Sequence, residues 1–200
     1  MNTHRLILLA VMLSTAISCK KEQVPNPNVV YEQVNMRIRA AEKKTITLDI
    51  DRNGTPDYQF FFELNASDTG DHQNVLVNPI GLNSARMEAP NDNNYLNAGE
   101  LIAQRPSSIT SEQLGENGLW GSDFATLAIR HTAISGKVTY TGDWASSKPQ
   151  FMAIRLMVDG AAHFGWVKIG FNKSTEEITV YDYAWNREAN AQIRVGLTSF

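Results

Sequence analysis

The run Asp49-Ile50-Asp51-Arg52-Asn53-Gly54-Thr55-Pro56-Asp57 sets oxygen side chains at its first, third, fifth and ninth positions, with glycine at the sixth. Calcium takes about six to eight oxygens at short range, and a tight glycine turn lets alternate side chains converge on one point. Residue types and spacing therefore predict a calcium site with Asp49, Asp51, Asn53 and Asp57 as side-chain ligands and the Thr55 carbonyl as a further one. The helical EF-hand form of such a loop carries a bidentate Glu at the twelfth position, where this chain has Phe60. Its flanks are helices, whereas Thr45–Leu48 and Tyr58–Leu64 read as strands. The ion is thus expected in a hairpin loop, with a structural rather than a catalytic role. A plain hairpin turned by Asn53-Gly54, its Asp and Asn side chains capping backbone groups, accounts for the same residues without an ion.

A second grouping lies near the C-terminus, in His163-Phe164-Gly165-Trp166-Val167-Lys168-Ile169 and Thr179-Val180-Tyr181-Asp182-Tyr183-Ala184-Trp185. Counting in twos puts Tyr181, Tyr183 and Trp185 on one face and Ile178, Val180, Asp182 and Ala184 on the other. An exposed aromatic row stacks sugar rings; the same residues inside a sandwich are cross-strand packing. Asp182 falls on the apolar face, where a carboxylate needs a partner, and His163 or Lys168 is placed to supply it.

No arrangement identifies a catalyst. The chain has no GxSxG elbow, no HExxH and no Gly-rich phosphate loop. Its histidines (His4, His72, His131 and His163) are scattered. Asp68, Asp71 and His72 gather in an expected loop and Glu176 and Glu177 in a turn, but no pair stands out as the two carboxylates of a glycosidase. With 18 Lys+Arg against 21 Asp+Glu in 200 residues, the chain lacks the basic excess of a nucleic-acid binder. Hydrophobic residues at 42% exclude an acidic disordered chain.

These groups must be held by a framework. Residues 1–18 read as a signal: Arg5, then the apolar run Leu6 to Leu13, then small residues. About 12 apolar residues span only about 18 Å as a helix, short of a bilayer core of roughly 30 Å. Ala16-Ile17-Ser18-Cys19 resembles the lipobox of bacterial lipoproteins in a relaxed form, which implies that Cys19 is lipidated and anchors the mature chain to a membrane. Cys19 is the sole cysteine, natural for an acylated thiol and awkward for a free one in a secreted protein. Lys20, rather than Asp, after the Cys implies the outer membrane. Residues 19–28, polar with two prolines, form a tether, and residues 29–200 a single domain.

Within it, short alternating or β-branched runs bounded by Gly, Asn and Asp predict strands at Val29–Ile38, Thr45–Asp51, Tyr58–Leu64, Asn74–Ile80, Phe124–Thr132, Lys137–Tyr140, Phe151–Val158, His163–Phe171, Ile178–Trp185 and Gln192–Val195. Gly81–Gly121 is least strand-like, with a loop at Asn91–Asn94 and a helical turn expected over Ala98–Gln104. Many short strands with close turns predict an all-β fold, a single β-sandwich of jelly-roll type.

The DxDxNGxxD loop, Gly142-Asp143-Trp144, the HFGWVxI run and the final TVYDYAW strand together resemble a group of uncharacterised secreted bacterial β-sandwich proteins, over about Thr45–Val195. Many of these are fixed to the envelope by a terminal sorting sequence, a role lipid would take here. The resemblance implies fold and location, and no activity. The expected function is that of a lipid-anchored cell-envelope protein, not an enzyme, with a ligand-binding or assembly role and a glycan or envelope protein as partner. A carbohydrate-active enzyme and a purely structural envelope component are the alternatives.

Overall fold

The computed structural model describes residues 26–88, 99–113, 118–146 and 148–198. The signal, Cys19, the tether up to residue 25 and the Asn91–Asn94 loop lie outside the described residues. In chain order the strands are β1 (Val29–Arg39), β2 (Ile46–Leu48), β3 (Tyr58–Ser67), β4 (Gly70–Pro79), β5 (Ser84–Met87), β6 (Gly99–Glu100), β7 (Ala103–Gln104), β8 (Ile109–Thr110), β9 (Leu119–Gly121), β10 (Ala125–Ala133), β11 (Val138–Thr141), β12 (Gln150–Val158), β13 (Ala161–Asn172), β14 (Glu177–Asn186) and β15 (Ile193–Arg194).

One sheet runs β1-β14-β13-β12-β5-β9, with β7 also on β12; the other runs β11-β10-β4-β3-β2, with β6 on β10. β8 and β15 form a small ribbon. The sheets are antiparallel apart from the β6–β10 pair and do not close into a barrel, so the protein is an all-β sandwich, as its sequence predicts.

Local differences from the expected elements have identifiable causes. β2 stops at Leu48, because the chain from Asp49 onward turns its side chains to its own backbone. β4 starts at Gly70, since Ser67 pairs with Gly70 and leaves Asp68-Thr69 as the turn. Asp71 and His72, expected in a loop, therefore stand on a strand. Over residues 99–104, the described part of the helical turn expected for Ala98–Gln104, there is no helix: β6 and β7 pair with β10 and β12 instead. A single helical turn fixes several residues for one hydrogen bond, so the open flanks of long strands outcompete it.

The main core lies between the sheets and joins Leu48, Phe60, Val77 and Leu127 of the second to Ile38, Met152, Ile154, Val167, Ile169 and Tyr183 of the first. Each such side chain contributes roughly 1.5–3 kcal/mol when fully buried. Gly142-Asp143-Trp144 closes one end. Trp144 is fully buried and its Nε1 donates to the Ile169 carbonyl at 3.1 Å, while Asp143 Oδ2 accepts from the Ala103 N–H at 2.8 Å. Gly142 has φ +92°, and a Cβ there would stand 2.6 Å from the Leu127 carbonyl oxygen, so glycine is required.

A second apolar cluster occupies the outer face of the first sheet: Phe164, Trp166 and Ala184 pack with Ile193 and Val195 from the ribbon side, and with Tyr31 and Phe151. β13 alternates cleanly, sending Val167, Ile169 and Phe171 to the main core and Phe164 and Trp166 to the outer cluster. β14 does not. Lys168 pairs with Asp182 and Ile169 with Val180, leaving Tyr181 as an extra residue; β1 breaks register at the same level, between Gln33 and Met36. The bulge reverses the phase of the strand, so Ile178 and Val180 reach the main core before it and Tyr183 and Trp185 after it.

Candidate functional site

Leu48 pairs with Tyr58, so the acidic run is a nine-residue loop across one hairpin and not a two-residue Asn-Gly turn. It is pinned at both ends by burial, with Ile50 1% and Asp57 6% exposed. Arg52 and Gly54 take positive φ, +63° and +88°, which folds the loop back on itself. One carboxylate oxygen each from Asp49, Asp51 and Asp57 lies within 4.8 Å of the others.

The same carboxylates organise the backbone. Asp49 accepts from the Asn53 and Gly54 N–H groups at 3.1 and 2.8 Å, and Asp51 accepts from Asn53 N–H at 3.0 Å. Asp57 Oδ2 accepts from Ile50 N–H at 2.7 Å and its Oδ1 from Asn83 Nδ2 at 2.8 Å. Asn53 turns its Oδ1 to the Thr55 N–H at 2.7 Å and its Nδ2 to Asp51 at 2.9 Å. Burial pushes the Asp57 carboxyl up; the Ile50 N–H pulls it back, and the charge of Asp51 adds to the rise. Each carboxylate oxygen has lone pairs for an N–H and for a cation. The donor set, all hard oxygens, fits a hard divalent cation and not a soft metal.

Arg52 ties this loop to the first sheet. Its guanidinium pairs with Glu32 on β1, whose Oε2 also accepts from the Tyr183 hydroxyl at 2.7 Å. Hydrogen bonds from Arg52 and then Tyr183 hold the Glu32 carboxyl below its ordinary value, against the effect of burial.

The predicted aromatic row is divided by the bulge. Tyr183 and Trp185 are 2% and 7% exposed and belong to the main core, as cross-strand packing requires. Tyr181 is half-buried and lines a groove of about 610 Å³ on the outer face of the first sheet, with Asn35 and Arg37 from β1, Thr179 from β14, and Gly170, Asn172 and Lys173 from the β13 end. Gly170 makes room for the ring: a Cβ there would lie 3.0 Å from it. Lys168 Nζ sits 5.8 Å from the ring centroids of both Tyr181 and Phe151.

Asp182 stands directly across from Lys168, one of the two partners expected for it, but no ion pair closes between them within 4 Å, and Asp182 is 8% exposed with Oδ1 making no hydrogen bond. Burial pushes its carboxyl up and the charge of Lys168 opposes the rise. The other candidate, His163, faces away: its Nδ1 lies 3.0 Å from the Asn186 carbonyl and its ring is edge-on to Trp185. His72 and His131, far apart in sequence, are cross-strand neighbours with stacked rings 4.6 Å apart.

Arg37, Asn35 and Lys173 were not singled out by sequence. The only local signal for them is the polar alternation Gln33, Asn35, Arg37 on β1, which marks an outer face and nothing more. The chain matches no known family model, no curated protein and no solved structure.

Proposed function

We propose that this chain is a lipid-anchored bacterial envelope protein, held at the outer membrane through Cys19, whose β-sandwich binds a glycan or envelope partner rather than transforming it. In the same reading calcium in the Asp49–Asp57 loop stiffens the first hairpin. The observation that carries the binding role is the groove beside Tyr181, set where two strands break register against each other. Bulges re-aim side chains next to functional sites. Binding sites likewise join an aromatic surface to a few placed polar groups. The signal segment and the lipobox-like run support the anchor. The three converging carboxylates support the cation.

The test is a glycan-array screen of the full-length protein in detergent, wild type against Tyr181→Ala. Wild type should bind a discrete set of glycans that Tyr181→Ala loses while melting within about 2 °C of it. A silent array, or binding indifferent to Tyr181, would remove the groove from the function.

A further inference from the structure

We infer that the groove takes an acidic oligosaccharide, an inference that rests on the binding role proposed above and adds its chemical class. Charge decides the class. Arg37 and Lys173 line the groove, and neither has a carboxylate within 4 Å among the described residues. Its one acid among the described lining residues, Glu177, is already paired with Arg39 at 2.9 Å. Lys173 rests its ammonium 5.5 Å from the Tyr140 ring centroid, a contact that places the charge without neutralising it. Lys168 also stands beside Tyr181, but it faces Asp182 across the strand pair, so the excess rests on Arg37 and Lys173. This local excess stands on a chain whose formal charge is −3.

A guanidinium fork matches a carboxylate or sulfate with two parallel hydrogen bonds. Tyr181 offers an apolar surface to the C–H groups of a sugar ring, and Asn35, Asn172 and Thr179 offer amides and a hydroxyl to its hydroxyls. The lining consists of side chains on a sheet face: β14 and β13 have both backbone edges engaged in ladders, and β1 the edge it turns to β14. Recognition here is therefore by ring and side chain, not by adding a peptide strand. A volume of about 610 Å³ suits one or two sugar rings and far exceeds a free anion.

Calorimetric titration of the full-length protein in detergent tests this with five probes: tetragalacturonate, its methyl ester, a heparin-derived tetrasaccharide, inorganic phosphate and an oligoglutamate. An acidic sugar should bind, and the methyl ester, which keeps the rings and removes the charge, should bind about tenfold more weakly or worse. Arg37→Gln and Lys173→Gln, both at exposed positions, should each weaken the acidic sugar about tenfold and flatten its salt dependence. Tyr181→Phe should bind like wild type. Equal binding of acid and ester would overturn the acidic class while leaving the groove in place. Phosphate or oligoglutamate binding as tightly as the sugar would overturn the sugar. Failure of both acidic sugars on a protein that still binds its array glycans would overturn the inference alone. Indifference to both cation variants would move the site elsewhere.

Discussion

Replacing Asp57 with alanine removes a buried carboxylate that serves three donors: Ile50 N–H at 2.7 Å, Asn83 Nδ2 at 2.8 Å and, more weakly, Asp51 N–H at 3.4 Å. The first two lie in buried surroundings, and each donor left unmatched there costs about 1–3 kcal/mol. Asn83 is itself a bridge, since its Oδ1 accepts from the Met157 N–H at 2.8 Å; losing Asp57 loosens a link between the acidic loop and β12. Relief of the burial that raises the Asp57 carboxyl offsets part of this, leaving about 2–4 kcal/mol. For a chain of this size about 1 kcal/mol moves the melting temperature by about 2–4 °C, so Asp57→Ala should melt roughly 4–16 °C below wild type. The measurement is thermal unfolding followed by circular dichroism in chelator, with Asn83→Ala and the double variant completing a cycle. Coupling between the two positions should be at least about 1 kcal/mol. Because the folded carboxyl titrates above its ordinary value, wild-type stability from this group is full below that value and is lost as pH rises through the raised one. The gap to Asp57→Ala should therefore be wider at pH 3 than at pH 7. A variant melting within 2 °C of wild type, or strict additivity with Asn83→Ala, would refute the buried bridge.

Calcium at about 100 times its dissociation constant adds about 2.7 kcal/mol, a rise of roughly 5–10 °C that Asp51→Ala should abolish; equal wild-type melting in calcium and chelator leaves only the ion-free loop. Cys19→Ser should leave membranes or retain its signal, and a variant that fractionates and migrates like wild type excludes the lipid. Gly142→Ala should cost upwards of about 3 kcal/mol, because φ +92° and the Leu127 carbonyl both oppose a Cβ; melting close to wild type would show that the Trp144 turn can shift. His72 should titrate below its ordinary value of 6.5, chiefly from burial and then from His131. The unfolded chain then takes up its proton first, and stability from this group falls as pH drops below 6.5; in NMR titration His131→Gln should raise the midpoint, and a wild-type midpoint at or above 6.5 would refute the pairing.

The long strands were legible because each carries its own alternation: β3, β12, β13 and β14 lie within a few residues of where period-two patterning puts them. The acidic loop was legible because its spacing is local. The phase reversal in β14 was not, since TVYDYAW alternates without interruption and the bulge exists only relative to β13 and β1. That single extra residue sends Tyr183 and Trp185 inward and leaves Tyr181 at the surface. The two-residue strands β6, β7 and β8 are too short to show any period; partners from distant segments define them. Arg37 and Lys173 meet through tertiary pairing alone, so no window of sequence holds both. The burial of Asp57 depends on Asn83, beyond the whole of β4.

β1 has a mechanical consequence. It is the outermost strand of its sheet, it is the first element after the residues preceding Val29, and it pairs with β14 from Val29↔Asn186 to Arg39↔Glu177. Antiparallel hydrogen bonds lie across the strand. A pull on the chain ahead of Val29 that is resisted at the groove thus loads the ladder in shear, many bonds sharing the force, and does not unzip it pair by pair. The groove draws its walls from β1, β14 and β13, so tension entering at Val29 passes into the site's own strands without crossing the main core.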